Sequence, residues 1–463
     1  MMKPLIFCLS FLSLVCLFVC VVRAAPSATE DRLRVIVETD IGGDADDQAS
    51  LVRFLLYCNE WDVEAIIADR SAEAFHRDGA RDHKELQAKD GWDLAKRYVE
   101  AYGQVYDNLA IHKPDFPWPD VLLARTVPGF DDSEAGVQAI IQAADRDDPR
   151  PIWYGNWGSN SGSTSNLRRA FDRVQATRGS AEYQAFVRKF RICTLDGRGP
   201  ARQGHDHQIV LHIETGYPEL DGRRWYHRFR PLTERVGGCD VRRDIQENHG
   251  PLGAIYTTPK EGDSWTFVYL IPTGLSDPLK PTWGGWAGRY GPRNKDPLNA
   301  AGPQGAAFYW ANQIDDWNGN SSRDNTVLRW ADALQNDFRA RLDWCVAKRF
   351  EDGNHEPVPY CQGDGTRRVL RIDVPAGRPL ELNASGTTDP DGDRLTYRWF
   401  VYREPGSYPG LLEIEPADSP RATLNLPTDT VGKSIHVVLE VTDDGQPRLT
   451  RYRRVVVRSV SAK

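Results

Sequence analysis

Four aspartates crowd into eight residues near the start of the chain, in Glu38-Thr39-Asp40-Ile41-Gly42-Gly43-Asp44-Ala45-Asp46-Asp47-Gln48. Carboxylates at this spacing repel one another unless protons or a cation offset their charge. Their oxygens are hard donors of the kind calcium accepts in irregular sets of about six to eight. The same groups can remove a proton from water as a bond to an electrophilic carbon forms. The plainer reading is a capped helix start, with Asp46 or Asp47 meeting its positive end.

The surrounding pattern decides where these groups stand. Arg34-Val35-Ile36-Val37-Glu38-Thr39 reads as a buried strand, Gln48 to Tyr57 as a helix with one apolar face, and Val63 to Ala68 as the next strand. Asp40 then lies at the carboxyl end of a strand and Asp46-Asp47 at the start of the following helix, the crevice where open α/β sheets bind ligands. Gly42 and Gly43 permit the sharp turn between them. Further helices are predicted over Trp92–Tyr106 and Ser133–Ala144, and strands over Ile152–Tyr154, Phe190–Leu195, Ile209–Ile213 and Trp265–Ile271. From about Arg367 onward short strands alternate with turns, the spacing of an all-β sandwich.

A length of 463 residues suggests about three domains. The expected division is a signal peptide over 1–24, an α/β domain over 31–350, a linker over 351–365 and a β-sandwich over 366–463. Lys3 followed by the apolar run Pro4–Val22 and by Val22-Arg23-Ala24 reads as a secretory signal. The run is also long enough for an uncleaved anchor, and no other segment approaches that length. We therefore expect a secreted, extracellular or periplasmic protein. Its 65 acidic and 58 basic side chains give a net charge of −7, which argues against a nucleic-acid partner. After the signal, Cys58, Cys193, Cys239, Cys345 and Cys361 remain with no CxxC spacing, so a zinc site is not expected. Cys345 and Cys361 can close a short loop in an oxidising compartment; Cys58 and Cys193 read as buried thiols.

The segment ETDIGGDADDQ resembles the N-terminal signature of the nucleoside hydrolases. A longer resemblance, to a nucleoside-hydrolase-like family of cellulose-binding proteins, is carried by TDIGGDADDQASLVRFLLYCNEWDVEAIIA, DDPRPIW, ENHGPLGAIY, EGDSWTFVYLIPTGLSDP and WGGWAGRY, and covers most of residues 33–350. It implies a Rossmann-type open sheet followed by a PKD- or Ig-like sandwich. Position by position it implies Asp40 as calcium ligand and general base, Asp47 as calcium ligand and Asp46 as a contact to sugar hydroxyls. The late His-Asp pair of nucleoside hydrolases falls on His249-Gly250, so a missing carboxylate has to be replaced, with Asp263 the candidate.

Fourteen tryptophans suggest flat-ligand stacking beside ordinary packing. Asn156, Trp157 and Asn160, in the loop after a predicted strand, Trp283 and Trp286, among glycines, and His249 are the candidate saccharide contacts. His205-Asp206-His207 reads as a solvated loop, and Asp389-Pro390-Asp391-Gly392-Asp393 as a turn that resembles calcium-prone turns of PKD- or cadherin-like sandwiches. Two functions follow. One is hydrolysis of an N- or O-glycosidic bond with Asp40 as base. The other is non-catalytic binding of cellulose or another polysaccharide on the same scaffold. A third possibility is an anchored scaffold that uses the sandwich for partner contacts.

Overall fold

The computed structural model describes residues 32–43, 45–77, 88–130, 133–157, 165–194, 209–212, 240–257, 261–292, 307–311 and 313–462. The predicted signal peptide, Asp44, Asn160, His205–His207 and Cys239 lie outside them.

Eight strands form the first sheet: β1 (Leu33–Thr39), β2 (Trp61–Ala68), β3 (Thr126–Pro128), β4 (Ile152–Trp157), β5 (Phe190–Thr194), β6 (Ile209–His212), β7 (Gly291–Pro292) and β8 (Ala307–Trp310). Their order is β3-β2-β1-β4-β5-β6-β8-β7, parallel except for β7. The order reverses between β1 and β4, the switch point at which ligands bind such sheets. Alternation along β1 sends Val35 and Val37 into one core with the helices Asp46–Tyr57, Gly91–His112 and Ala331–Trp344. Ile36 goes into a second core with the helices Ala135–Asp145 and Asn166–Thr177. Cys58 and Cys193 are buried thiols, as expected.

Two expectations are corrected. Trp265–Ile271 is not a strand: Trp265–Val268 is a short helix, held by Val268 N–H to Ser264 O at 2.8 Å and Thr266 N–H to Asp263 O at 3.0 Å. The run is buried on every side, so its hydrophobicity has no period to read. Nor are Cys345 and Cys361 bonded: both are free, Cys345 in the core of the α/β body and Cys361 in that of the sandwich.

After a small hairpin of β9 (Asp315–Trp317) and β10 (Asn320–Ser322), the C-terminal module packs two sheets. One is β11 (Leu370–Pro375), β13 (Thr396–Tyr402), β16 (Ser434–Thr442) and β17 (Thr450–Val460), in the order β11-β17-β16-β13. The other joins β12 (Pro379–Asn383), β14 (Ile414–Glu415) and β15 (Arg421–Asn425). Trp399 lies in the core between them.

Residues 33–463 form one compact unit. Tyr402, Val438 and Tyr452 of the sandwich belong to the α/β core, and Trp330 packs edge-on to both tyrosines. Tyr452 N–H donates to Thr273 O at 3.0 Å and Arg454 N–H to Gly274 O at 3.1 Å. Gly274 (φ +84°) has to be glycine, since a Cβ there would lie 1.9 Å from Tyr452 O. Within the predicted linker, Asn354, His355, Glu356 and Cys361 are buried.

His436 lies in this seam, edge-on to Trp283 with ring centroids 5.0 Å apart. Burial, aided by the Arg454 charge, holds its imidazole down at about 3. The unfolded chain therefore binds a proton near pH 6.5 that the folded chain refuses. Stability from this group is complete above pH 6.5 and falls, by on the order of 1 kcal/mol per pH unit, as pH drops from there toward 3. Melting temperatures between pH 7.5 and 4.5 should show this decline, and His436→Phe should flatten it.

Candidate functional site

At the end of β1 the chain turns back sharply, with Gly43 N–H donating to Asp40 O at 3.0 Å. Gly42 adopts φ +95°, and a Cβ there would run into the Phe75 ring. The turn delivers Asp46 and Asp47 to the first turn of the helix Asp46–Tyr57, where the aligned peptide dipoles favour negative charge. Thr39, the last residue of β1, donates its hydroxyl to Asp47 and accepts the Ile41 N–H at 3.1 Å, joining strand, turn and helix.

A third carboxylate arrives from more than two hundred residues away. Glu261 is clamped by the Arg53 guanidinium (Nη2 to Oε1 2.9 Å), the Tyr256 hydroxyl and the Ser264 hydroxyl (2.8 Å). This clamp fixes the turn that carries Asp263. Trp157 Nε1 donates to the Thr266 hydroxyl at 2.7 Å, and that hydroxyl donates to Asp263 O at 2.7 Å. Carboxylate oxygens of Asp46, Asp47 and Asp263 all lie within 4.8 Å of one another, and all three residues are buried.

Burial raises the proton affinity of Asp47 well above the usual carboxylate range, and the charges of Asp263, Asp40 and Asp46 add to it. Asp40 differs from the other three. Its side chain is 34% exposed, and Arg70 Nη1 stands 3.8 Å from Oδ2. Asp40 is therefore the carboxylate of the group that solvent reaches most readily. The set of Asp46, Asp47 and Asp263 fits a hard divalent cation: the donors are all oxygen, and three buried like charges lose their repulsion when an ion sits among them.

The remaining candidates fall elsewhere. Trp157 is 1% exposed and packs with Phe54 and Phe267, so it positions the Asp263 turn rather than presenting a face to a sugar. Trp286 is equally buried, under Arg451, and Trp283 is half-buried between His436 and Arg371. Burial removes more apolar indole surface from water than a rim position, and the glycines around them allow that close packing. Asn156 is buried on the opposite side of the sheet from Trp157, in register beside Glu38. Glu38 there accepts from Asn166 N–H (3.1 Å), Asn166 Nδ2 (2.7 Å) and the Tyr154 hydroxyl, and burial raises its proton affinity. His249 hydrogen-bonds Ile245 O and Asp343 Oδ1, each at 3.1 Å, at the end of the helix Ala331–Trp344; it is not among the clustered carboxylates. Asp263 supplies the third carboxylate instead.

Sequence reasoning passed over Trp118. Its indole is 66% exposed and lies over Tyr106, ring centroids 5.0 Å apart. The Pro117-Trp118-Pro119 sequence at a helix start was the available signal.

Residues 34–290 match the family described as cellulose-binding Sde182, nucleoside hydrolase-like domain, and residues 379–459 match the cellulose-binding protein Sde0182 C-terminal domain. Among solved structures, a nucleoside hydrolase-related hypothetical protein from Saccharophagus degradans, associated with carbohydrate metabolism, superposes with a TM-score of 0.72 at 31% identity, over 92% of this chain and 100% of that one. The PKD domain of the KIAA 1837 protein matches 20% of this chain and 84% of its own (TM-score 0.16, 19% identity). Human CDH23 EC21-23 matches 23% of this chain and 34% of its own (TM-score 0.18, 16% identity). No curated protein sequence matches the chain.

Proposed function

We propose, because this chain belongs to the cellulose-binding Sde182 family of nucleoside-hydrolase-like proteins, that it is an exported protein that binds cellulose and related polysaccharides and hydrolyses a glycosidic bond at its acidic cluster. The observation that carries this reading is the convergence of buried Asp46, Asp47 and Asp263 beside the half-exposed Asp40, at the sheet's switch point.

In this reading Asp40 accepts the proton of the attacking water while positive charge develops at the sugar carbon, and Asp46 orients sugar hydroxyls. Asp47 and Asp263, with Asp46, would hold a calcium ion. Bound calcium would supply charge neutralisation and a more acidic water. Thr39 and the Arg53–Glu261 clamp keep the carboxylates in place, so little reorganisation accompanies the reaction. Among the described residues no helix is long and apolar enough to cross a membrane.

The test is release of reducing sugar or free base from a panel of aryl glycosides, oligosaccharides and nucleosides. Turnover by the wild type that Asp40→Asn removes supports hydrolysis. Retention on insoluble cellulose with no turnover of any substrate supports the second reading, a binding protein without catalysis. Arg70 favours that second reading, because its guanidinium stands 3.8 Å from Asp40 Oδ2 and engages the carboxylate that the chemistry would need.

For the binding half, Trp118 presents an exposed aromatic face. Trp118→Ala is expected to weaken retention on insoluble cellulose roughly tenfold, the scale of one aromatic contact worth about 1–1.5 kcal/mol. The melting temperature should hardly change, because most of the ring already faces solvent.

A further inference from the structure

Two buried histidines meet where the α/β body, the linker and the sandwich come together. His112 ends the helix Gly91–His112 and is 3% exposed; His355, in the segment between the helix Ala331–Trp344 and β11, is 1% exposed. His112 Nδ1 lies 3.0 Å from His355 Nε2. The two outer nitrogens are engaged as well, His112 Nε2 by Ala347 O at 3.2 Å and His355 Nδ1 by Asp391 Oδ1 at 2.8 Å. Asp391, in the turn before β13, also accepts the His355 backbone N–H on Oδ2 at 2.7 Å. All four ring nitrogens therefore have a partner.

An imidazole nitrogen either carries a hydrogen or offers a lone pair. A carbonyl and an ionised carboxylate only accept, so His112 Nε2 and His355 Nδ1 each carry a hydrogen. The bond between the rings needs a third. Two neutral imidazoles hold two hydrogens, one fewer than these three bonds use. The surroundings place the extra charge on His355. It faces Asp391, and its ring stacks on Phe350, centroids 3.7 Å apart, with Trp344 at 5.3 Å. Burial holds the proton affinity of His112 below that of an ordinary imidazole, which suits a ring that accepts. The other charged groups around the pair are Asp389 and Asp393 beside Asp391, Asp352 paired with Arg349, and Asp443 held by Asn354. Glu356 completes them, with its partners Lys113, Arg367 and Arg451. Each of these cations is already engaged by a carboxylate.

We infer that His112 and His355 share one proton beyond their neutral complement, His355 as imidazolium and His112 as its acceptor, and that this proton fastens the helix Gly91–His112 to the sandwich turn. Its loss sets two buried lone pairs against each other at 3.0 Å, or takes the hydrogen from the bond to Asp391 or Ala347. In the unfolded chain both rings titrate near pH 6.5. Above that pH the folded chain holds a proton that the unfolded chain has released, so stability from the pair falls as pH rises. Below it the unfolded chain takes up two protons where the folded chain holds one, so stability falls again. The fastening is therefore strongest near pH 6.5 and loosens on the alkaline side, where His436 contributes no change.

The test uses the full chain with 15N-labelled histidine, in EDTA at pH 7.5, where a free imidazole is about one-tenth charged. The ring-nitrogen spectrum is expected to contain one imidazolium, assigned to His355 by its absence in His355→Gln, beside a neutral His112 protonated at Nε2. His112→Asn keeps an acceptor for His355 Nε2–H and should keep the imidazolium; Asp391→Asn removes the counter-charge and should discharge it. On unfolding in urea at this pH, the wild type should release about one proton more than His355→Gln. Neutral rings at both positions in the folded wild type, equal proton release by wild type and His355→Gln, or an imidazolium that survives Asp391→Asn overturns the inference. The wild-type spectrum decides by itself where a variant does not fold. No sugar enters these measurements, so the proposed function stands or falls separately.

Discussion

Arg451→Met is expected to cost about 3 kcal/mol of stability and to leave a single unfolding transition for α/β body and sandwich together. Arg451, on β17, is 3% exposed; it pairs with Asp337 Oδ2 at 2.6 Å and Glu356 Oε1 at 3.3 Å, both buried. Asp337 comes from a helix of the α/β body and also accepts from the Tyr57 hydroxyl at 2.6 Å. Methionine fills much of the arginine's volume, so the loss isolates charge from packing. Two buried carboxylates then lose a cation, which is why the effect exceeds that of any surface pair. It falls at the low end of the range for broken buried pairs because Arg341 still faces Asp337 at 3.3 Å and Lys113 still holds Glu356 at 2.7 Å. Urea denaturation followed by tryptophan fluorescence and by far-ultraviolet dichroism checks both parts: coincident curves shifted to lower urea are expected, and two separated transitions would refute the shared seam.

The same seam changes what a truncation means. Deleting residues 366–463 removes Arg451, Arg454 and Tyr402, whose partners Asp337, Asp315 and the carbonyls of Trp283 and Gly284 lie in the α/β body. Loss of activity in such a truncated chain would report exposed core and unpaired buried charge rather than a role for the sandwich in binding.

How much of this was legible beforehand follows from which signals are local. The alternation and runs in β1, β2, β11 to β13 and β15 to β17, and the helical period of Asp46–Tyr57, are properties of adjacent residues; they gave the layers and the crevice. The Asp40–Asp47 segment was readable for the same reason. Pairing Asp263 with it was not a local matter: the helix Trp265–Val268 is buried all round, and the Arg53–Glu261 clamp spans 208 residues. The tryptophans misled because composition reports how many indoles there are and not which are covered. Trp157 and Trp286 went inside, while Trp118, between two prolines, stayed out. The seam was invisible because arginines such as Arg451, Arg453 and Arg454 ordinarily face solvent, and only tertiary partners make burial of such charges tolerable.

Asp40→Asn and Asp263→Asn should separate chemistry from electrostatic cost in opposite directions. Asp40 is partly exposed and its charge is already met by Arg70, so the amide should leave the melting temperature within a degree or two. If Asp40 takes the proton from water, turnover should nevertheless fall roughly 10²–10⁴-fold, the usual contribution of a positioned base. Asp263 is 1% exposed and adds its charge to those of Asp46 and Asp47. Neutralising it removes a buried like charge, so in EDTA Asp263→Asn should be more stable than the wild type. Turnover should fall as well, because one of the three clustered carboxylates is gone. A residue retained at the expense of stability is a residue held for what it binds or does. Raised stability with lost turnover for Asp263→Asn, beside unchanged stability with lost turnover for Asp40→Asn, is the pattern that a catalytic acidic cluster requires. If Asp263→Asn instead destabilises the chain in EDTA, the carboxylate is part of the scaffold's own hydrogen bonding, and the case for a site there fails.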